Sequence, residues 1–277
     1  FTNVQLLVTG SSSFELQSNL NEPLTGRKYE YHLYPISTAE LYDSQGLLPV
    51  KQMFESRLIY GSYPDIINHT DEAKELLMTI ANSYLYKDLL AMNEIRRPIL
   101  LEKLLIALAL QVSSEVSYNE VAQTIGTDNK TVEKYIDLLE KCYVIFRLNA
   151  FNRNLRTELK KSKKIYFYDN GIRNAVIQNF APLSLRQDTG ALWENFFISE
   201  RIKANHYNGN YAKSFFWRTT QQQEIDYIEE ADGNFTAFEM KWNPNKRPIT
   251  FPSPFLNNYP VKETVVITPE NYLEWVM

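Results

Sequence analysis

Four side chains near the end of the sequence are of types that together bind a divalent metal ion. They are Glu194, Asp226, Glu239 and Lys241. Side chains alternate along a β-strand, so Glu239 and Lys241 share one face of their strand. Carboxylate oxygens are the ligands that Mg²⁺ prefers, and a lysine beside them can orient or activate a water. The sequence therefore predicts a metal site with Glu194, Asp226 and Glu239 as ligands, and all four residues are catalytic candidates.

Two strands must bring these groups together. Residues 223–228 and 235–242 have the composition of strands, and the residues between them are typical of a turn. We therefore expect a hairpin, with Glu224 and Asp226 on one face of its first strand.

Glu194 belongs to a segment, 190–198, with the apolar spacing of a helix. A carboxylate on an apolar helix face needs a partner, because the burial of an unpaired charge is costly. A metal ion, Lys241 or Arg201 would each supply one. A salt-bridge cluster without catalysis, in which Lys241 only neutralises the acids, is the alternative.

A helical glutamate followed by an aspartate and by Glu-x-Lys on consecutive strands resembles the PD-(D/E)xK nuclease superfamily. The order helix, strand, strand, helix, strand over the last part of the chain is similar to the core of that fold. The resemblance implies Mg²⁺-dependent cleavage of nucleic acid. It also leaves room for an inactive domain, because a fold can persist when its chemistry is lost.

A helix-turn-helix is predicted upstream of this region. Ser117 with Glu120 forms a capping box, Gly126 has the type that ends a helix, and Asp128 can cap a second helix over Asn129–Lys141. Two strands of a wing should follow. Their predicted ranges are Val144–Leu148 and Lys164–Tyr168.

Basic residues between the wing strands favour contact with the phosphates of nucleic acid. The candidates for this contact are Arg153, Arg156, Lys160 and Lys161, with Lys130 in the second helix. Lys163 and Lys164 continue the basic run. The second helix also carries Glu133, Asp137 and Glu140, which would repel a DNA backbone and favour a protein partner instead.

The first residues resemble the second half of a P-loop ATPase domain of the AAA+ class. The features are a strand over Val4–Val8, the run Thr9-Gly10-Ser11-Ser12, and Gly26-Arg27 before a strand over Lys28–Leu33. The resemblance implies that Ser11 or Ser12 senses the γ-phosphate of ATP and that Arg27 lies near the nucleotide. The Gly-x-x-x-x-Gly-Lys-Ser/Thr loop does not occur in the 277 residues. We therefore expect a fragment that does not hydrolyse ATP alone, and ATP as a cofactor only of a full-length protein.

The order of motifs over nearly the whole chain resembles a large prokaryotic family of predicted AAA-type ATPases with a winged helix and a C-terminal domain of unknown function 4143. Further motifs that carry the resemblance are Pro35-Ile36-Ser37 with Glu40, Gly61-Ser62-Tyr63-Pro64, Tyr166-Phe167-Tyr168-Asp169 with Gly171, and Trp193-Glu194-Asn195. We expect an α/β multi-domain protein. Its predicted parts are the distal end of the ATPase domain with a helical lid over 1–95, a winged helix-turn-helix over 96–180, and a restriction-endonuclease-like αβ domain over 181–277.

Amino-acid composition indicates in which compartment the protein works and which partners its charge disfavours. The single cysteine, Cys142, excludes disulfides within the chain and favours a reducing cytoplasm. Neither a secretory signal nor an apolar run long enough for a membrane is expected. A net charge of −4 argues against nonspecific coating of nucleic acid by the whole surface. Metal-dependent processing of nucleic acid is thus the leading hypothesis, and a non-catalytic ATPase switch or a protein-binding assembly, including a homo-oligomer, is the alternative.

Overall fold

A computed structural model describes residues 7–10, 28–85, 97–152, 163–243 and 249–277. Twelve α-helices and seven strands form within these ranges. The helices are α1 (Thr38–Gln45), α2 (Leu47–Gln52), α3 (Phe54–Tyr60), α4 (Pro64–Asn68), α5 (Ala73–Thr79), α6 (Pro98–Leu110), α7 (Tyr118–Ile125), α8 (Asn129–Lys141), α9 (Asn170–Val176), α10 (Thr189–Tyr207), α11 (Ser253–Asn258) and α12 (Leu273–Val276). The strands are β1 (Glu115–Val116), β2 (Ile145–Ala150), β3 (Lys163–Phe167), β4 (Lys213–Arg218), β5 (Glu224–Ala231), β6 (Asn234–Met240) and β7 (Val261–Ile267).

All seven strands belong to one mixed sheet, in the order β1-β3-β2-β4-β5-β6-β7. The β2–β3 hairpin predicted as a wing is present, and β1 extends it on one side. On the other side β2 pairs in parallel with β4, where Asn149 lies opposite Phe215 and Ala150 opposite Phe216. The β2–β3 hairpin is therefore continuous with strands β4–β7 in the same sheet.

The β5–β6 hairpin also forms as predicted, but both strands extend further toward the turn than expected. Pairing continues to Ala231 and Asn234, so the turn contains only Asp232 and Gly233. Both turn residues have positive φ angles, 50° and 77°. This conformation matches the right-handed twist of the flanking strands and suits Asp-Gly.

The predicted helix-turn-helix elements begin and end where their caps indicate. The Ser117 side chain accepts a hydrogen bond from the Glu120 amide, Gly126 ends α7 with φ of 76°, and Asp128 caps α8. The inward face of α8 is buried as expected. Its members are Val132, Tyr135, Ile136, Leu138 and Leu139.

One expectation for the first part of the chain, the strand over Lys28–Leu33, is wrong. Residues 28–34 run without strand pairing, and the side chains of Tyr29, Tyr31 and Leu33 are exposed. Further along, α5 is continued by a π-helix over Ile80–Leu85. The predicted strand Val4–Val8 lies mostly outside the described residues, and its last two residues are exposed.

A single large core unites the helices with the sheet. It extends from Leu77 and Leu104 through Ile145 and Phe167 to Trp193 on α10. A smaller cluster covers the opposite face of the last strands, where Phe255 of α11 packs against Trp217. None of the described helices combines the length and the apolar character needed to cross a bilayer.

Candidate functional site

Asp226 and Glu239 lie on neighbouring strands, β5 and β6, and share one cation. The ammonium of Lys241 donates to Glu239 Oε2 at 2.8 Å and lies 3.7 Å from Asp226 Oδ2. The same Asp226 oxygen accepts the backbone amide of Met240 at 3.0 Å. The alternation predicted from the sequence is therefore confirmed, because Glu239 and Lys241 point to the face that carries Asp226.

Glu194 approaches the same group of acids from α10. Its Oε1 accepts the Tyr166 hydroxyl at 2.7 Å and the Lys164 ammonium at 3.3 Å. Arg201, the alternative partner expected from the sequence, instead forms a two-pronged ion pair with Glu229 at 2.9 and 2.8 Å. Glu194 and Arg201 are seven residues apart, about two helical turns, so they share a face of α10 but lie about 10 Å apart along its axis, over different parts of the sheet.

Lys164 is the site residue that sequence reasoning missed. Its side chain is 3% exposed, and its ammonium lies 2.5 Å from Glu224 Oε1 and 5.5 Å above the Phe216 ring. The sequence places it in the basic run expected to face phosphates. The available signal is its position in β3, where it shares a face with Tyr166 and precedes three apolar or aromatic residues.

The pKa shifts in the site arise because several acids lie close together where solvent has little access. Burial raises the pKa of Glu194 to about 7, against the opposing effect of Lys164. Burial and the neighbouring Asp226 carboxylate raise the pKa of Glu239 to about 7 as well. Burial acts to lower the pKa of Lys164, but Glu194, Asp226 and Glu224 outweigh it and raise that pKa. The pKa is raised for both acids and for the lysine, as expected where acids outnumber the cations that neutralise them.

The donor set suits a divalent cation of the Mg²⁺ type. Glu194, Glu224, Asp226 and Glu239 face Lys164, Lys241 and Arg218, so full ionisation leaves an excess of negative charge. Mg²⁺ is usually held by one or two carboxylates, with water and phosphate oxygens as the other ligands. Asp226 and Glu239 fit that pattern. Among the described residues, no three His, Cys, Asp or Glu side chains are arranged as ligands of one ion.

Two acids of α8 have a partner within the chain. Arg147 of β2 pairs with Asp137 at 2.8 Å and with Glu140, whose carboxylate also accepts the Arg147 amide at 2.6 Å. The acidic face expected to repel DNA is therefore partly neutralised. Lys130 is exposed in the first turn of α8.

Several predicted site residues lie outside the described part of the chain. For nucleic acid these are Arg153, Arg156, Lys160 and Lys161, and for nucleotide they are Ser11, Ser12 and Arg27.

A buried polar network joins the first helices to α10. Glu200 accepts the Thr38 amide at 2.6 Å and its hydroxyl at 2.7 Å, at the start of α1. Arg57 lies 3.2 Å and Lys203 lies 2.8 Å from the other oxygen of Glu200. The side chains of Arg57, Glu200 and Lys203 are all at most 2% exposed. The helix that supplies Glu194 is thus fixed by Thr38 of α1 and Arg57 of α3.

Three protein families match successive parts of the chain. Residues 1–42 match an AAA domain, residues 51–183 match a domain of unknown function (DUF8612), and residues 189–274 match a domain of unknown function (DUF4143). The first and last matches together support an AAA-type, ATPase-like protein with a DUF4143 region. The resemblance drawn from the sequence is confirmed to that extent.

The curated relatives are themselves uncharacterised. An uncharacterised protein of Haemophilus influenzae is 27% identical over 63% of this chain and 46% of its own length. One from Methanocaldococcus jannaschii is 23% identical over 80% of this chain and 52% of its own length. The chain therefore spans about half the length of these relatives. No solved structure matches it significantly.

Proposed function

We propose that the carboxylate site holds Mg²⁺ and hydrolyses phosphodiester bonds in nucleic acid. The observation that supports this most is the sharing of Lys241 by Asp226 and Glu239 at the end of two adjacent strands. Glu194 completes the arrangement from α10, which is the order of groups that the PD-(D/E)xK resemblance implies. Because the acids outnumber the basic side chains that face them, the site carries excess negative charge, which favours binding of a cation.

Each residue has a chemical role in this proposal. Asp226 and Glu239 would hold the ion, and the bound ion would supply a positive charge that polarises phosphate and acidifies water. Lys241, the more exposed of the two lysines, would position the attacking water and offset charge that develops on the phosphate. The water oxygen bonds to phosphorus and releases a proton, while the bond from phosphorus to one sugar oxygen breaks and that oxygen takes up a proton.

The test compares Asp226→Asn with the unmodified 277-residue chain. The change is nearly isosteric and removes one negative charge, so folding should persist. We expect Mg²⁺-dependent cleavage of end-labelled DNA or RNA to fall by more than about a hundredfold, since loss of an outer partner alone costs tenfold to hundredfold. Glu263→Gln, at an exposed position of β7, is the matched control. Equal cleavage by Asp226→Asn and the unmodified chain would refute the assignment.

A non-catalytic role is the second candidate, and the lysines favour it. Lys164 and Lys241 already pair with the four acids, as a structural salt-bridge cluster would require. In that case the α7–α8 pair and its hairpin would serve to bind a protein partner or a second copy of the chain. No Mg²⁺-dependent cleavage, together with higher stability of Asp226→Asn, would favour this candidate.

Contact of the winged module with nucleic acid has a separate test. If Arg153, Arg156, Lys160 and Lys161 meet phosphates, DNA affinity must fall steeply as salt rises. Their replacement by Glu should flatten that dependence by about 0.9 unit of log K per lost contact. Exposed Lys130→Glu tests the helix in the same way. Affinity that responds neither to salt nor to these changes would assign the module to a protein partner.

The AAA match supports a nucleotide-linked role that belongs to a longer protein with a phosphate-binding loop. There, Ser11, Ser12 and Arg27 would lie near the nucleotide. We expect the 277-residue chain alone to bind MgATP more weakly than with a micromolar Kd, which corresponds to a binding free energy of about −8 kcal/mol. Titration calorimetry measures this directly, and micromolar affinity would show that the chain has a phosphate site of its own.

A further inference from the structure

Lys164 and the acids it contacts come from regions that match different families. Lys164 lies in β3, within the DUF8612 match, and Glu194 and Glu224 lie in the DUF4143 match. The β2–β4 pairing brings the two regions into one sheet, and it places the ring of Phe216 in β4 beneath the Lys164 ammonium. The carboxylate cluster is therefore built across the junction of the two regions.

The contacts of β3 fix one oxygen of Glu194. The Lys164 ammonium and the Tyr166 hydroxyl both meet Oε1, at 3.3 and 2.7 Å. Oε2 accepts no hydrogen bond from the described residues. Two donors on one oxygen hold the carboxylate in a fixed orientation and leave the second oxygen for another ligand.

The burial of Lys164 requires an explanation beyond packing. An ammonium loses hydration when it is buried, and an apolar residue of similar size would avoid that cost. Its 2.5 Å contact with Glu224 and its contact with Glu194 offset part of this loss. The same two contacts link an acid of α10 to an acid of β5, so Lys164 sets the position of one relative to the other.

We propose that Lys164 is a positioning residue of the carboxylate site, so that the DUF4143 region requires β3 of the preceding region to complete it. This inference rests on the proposed function, because it concerns the same site. Lys164 and Tyr166 orient Glu194 through Oε1, which leaves Oε2 for the bound cation or for a water that the cation holds. The DUF8612 region then contributes to metal binding without supplying a ligand.

The experiment measures Mn²⁺ affinity by electron paramagnetic resonance on the whole 277-residue chain, with thermal melting as the check of folding. Lys164→Met should raise the Kd for Mn²⁺ at least about tenfold, as loss of outer partners does. Lys164→Arg keeps the charge with a different shape and should give an intermediate Kd. Lys163→Met is the matched control, since the Lys163 ammonium lies over the Tyr118 ring, 5.3 Å away, and its Kd should equal that of the unmodified chain.

If Lys164→Met does not fold, Tyr166→Phe replaces it. That change keeps the cation and removes only the other donor to Glu194 Oε1, and it should raise the Kd about threefold, since it removes one of two partners. An unchanged Kd for that variant would overturn the positioning of Glu194 by β3.

The outcomes separate this inference from the proposed function. If the unmodified chain binds Mn²⁺ and cleaves, but Lys164→Met has the same Kd, the inference fails and the function stands. If the chain binds Mn²⁺ without cleaving, the nuclease function fails, and the ratio of the two Kd values still decides the role of Lys164. If the chain binds no Mn²⁺, both are overturned and Lys164 is a structural ion-pair residue.

Discussion

Glu200 shows how a single buried acid can stabilise the whole chain. Burial acts to raise its pKa, but Lys203 and Arg57 outweigh burial and lower the pKa to about 2. The acid also receives two hydrogen bonds from Thr38, at the positive end of the α1 dipole. Its ionised form is therefore strongly preferred in the folded state.

This preference predicts a pH dependence of stability with a definite sign. A carboxyl whose folded pKa is lowered contributes stability above its unfolded pKa, about 4.5, and loses it as pH falls toward 2. Glu200→Gln should reduce the free energy of unfolding by about 3 kcal/mol at pH 7, with a smaller difference at each lower pH below 4.5. Urea titrations at pH 7, 4 and 3 measure it.

Glu263→Gln serves again as the control, because that side chain is exposed on β7. A deficit for Glu200→Gln that stayed constant from pH 7 to pH 3 would mean that lost packing, rather than lost charge, causes it.

At the scale of elements, the contact between α3 and α9 depends on glycine. Gly61 ends α3 with φ of 75°, and a Cβ there would lie 1.9 Å from Asp169 Oδ1. Asp169 caps α9 and accepts the Ser62 amide at 2.7 Å. Gly171, in the first turn of α9, would place a Cβ 2.1 Å from the Tyr60 carbonyl oxygen. The motifs Gly61-Ser62 and Asp169-Asn170-Gly171 therefore form one close junction.

Gly61→Ala and Gly46→Ala make a matched pair that tests this junction. Both glycines have similar backbone angles, with φ of 75° and 84°, so alanine is strained at each by about 1–3 kcal/mol. Gly46 has open space at the Cβ position, whereas Gly61 faces Asp169. We expect Gly61→Ala to unfold at lower urea, with an additional loss of about 2 kcal/mol from overpacking. Equal losses would show that Asp169 moves aside freely.

Local signals made much of the fold predictable. Capping types fixed the limits of α7 and α8, and Asp232-Gly233 marked the turn of the β5–β6 hairpin. Alternation then placed Glu239 and Lys241 on one face, which was enough to identify half of the site.

Long-range pairing was not predictable, because no local pattern encodes it. The β2–β4 contact joins residues more than sixty positions apart, Asn149 with Phe215 and Ala150 with Phe216, and Arg57 meets Glu200 across 143 positions. The burial of Lys164 depends on the β2–β4 contact, which the sequence does not indicate. The local pattern shows only that Lys164 shares a face of β3 with Tyr166.

At the scale of the molecule, the continuous sheet and core imply that the described parts unfold together. Helices from α3 onward share with the sheet a core that includes Leu104 and Trp193, and Glu194 and Glu200 tie α10 to β3 and to α1. A chain with separable domains would instead have a weak junction between the helix-turn-helix and the last strands.

The tryptophans allow this to be tested without labelling. Three of the four, at 193, 217 and 242, lie in the DUF4143 match and the fourth, at 275, directly follows it, while the helices before α9 lie in the preceding regions. Tryptophan fluorescence therefore reports on the last region, and far-ultraviolet circular dichroism is dominated by helices that lie largely before it. We expect the two urea transitions to coincide in midpoint and slope, as a two-state unit requires.

Phe216→Ala creates a cavity in β4 beneath Lys164 and should lower the free energy of unfolding by about 3–5 kcal/mol, so that both urea midpoints fall together. If fluorescence alone shifted, the two regions would be independent domains, and Lys164 would sit at a contact that opens without unfolding either of them.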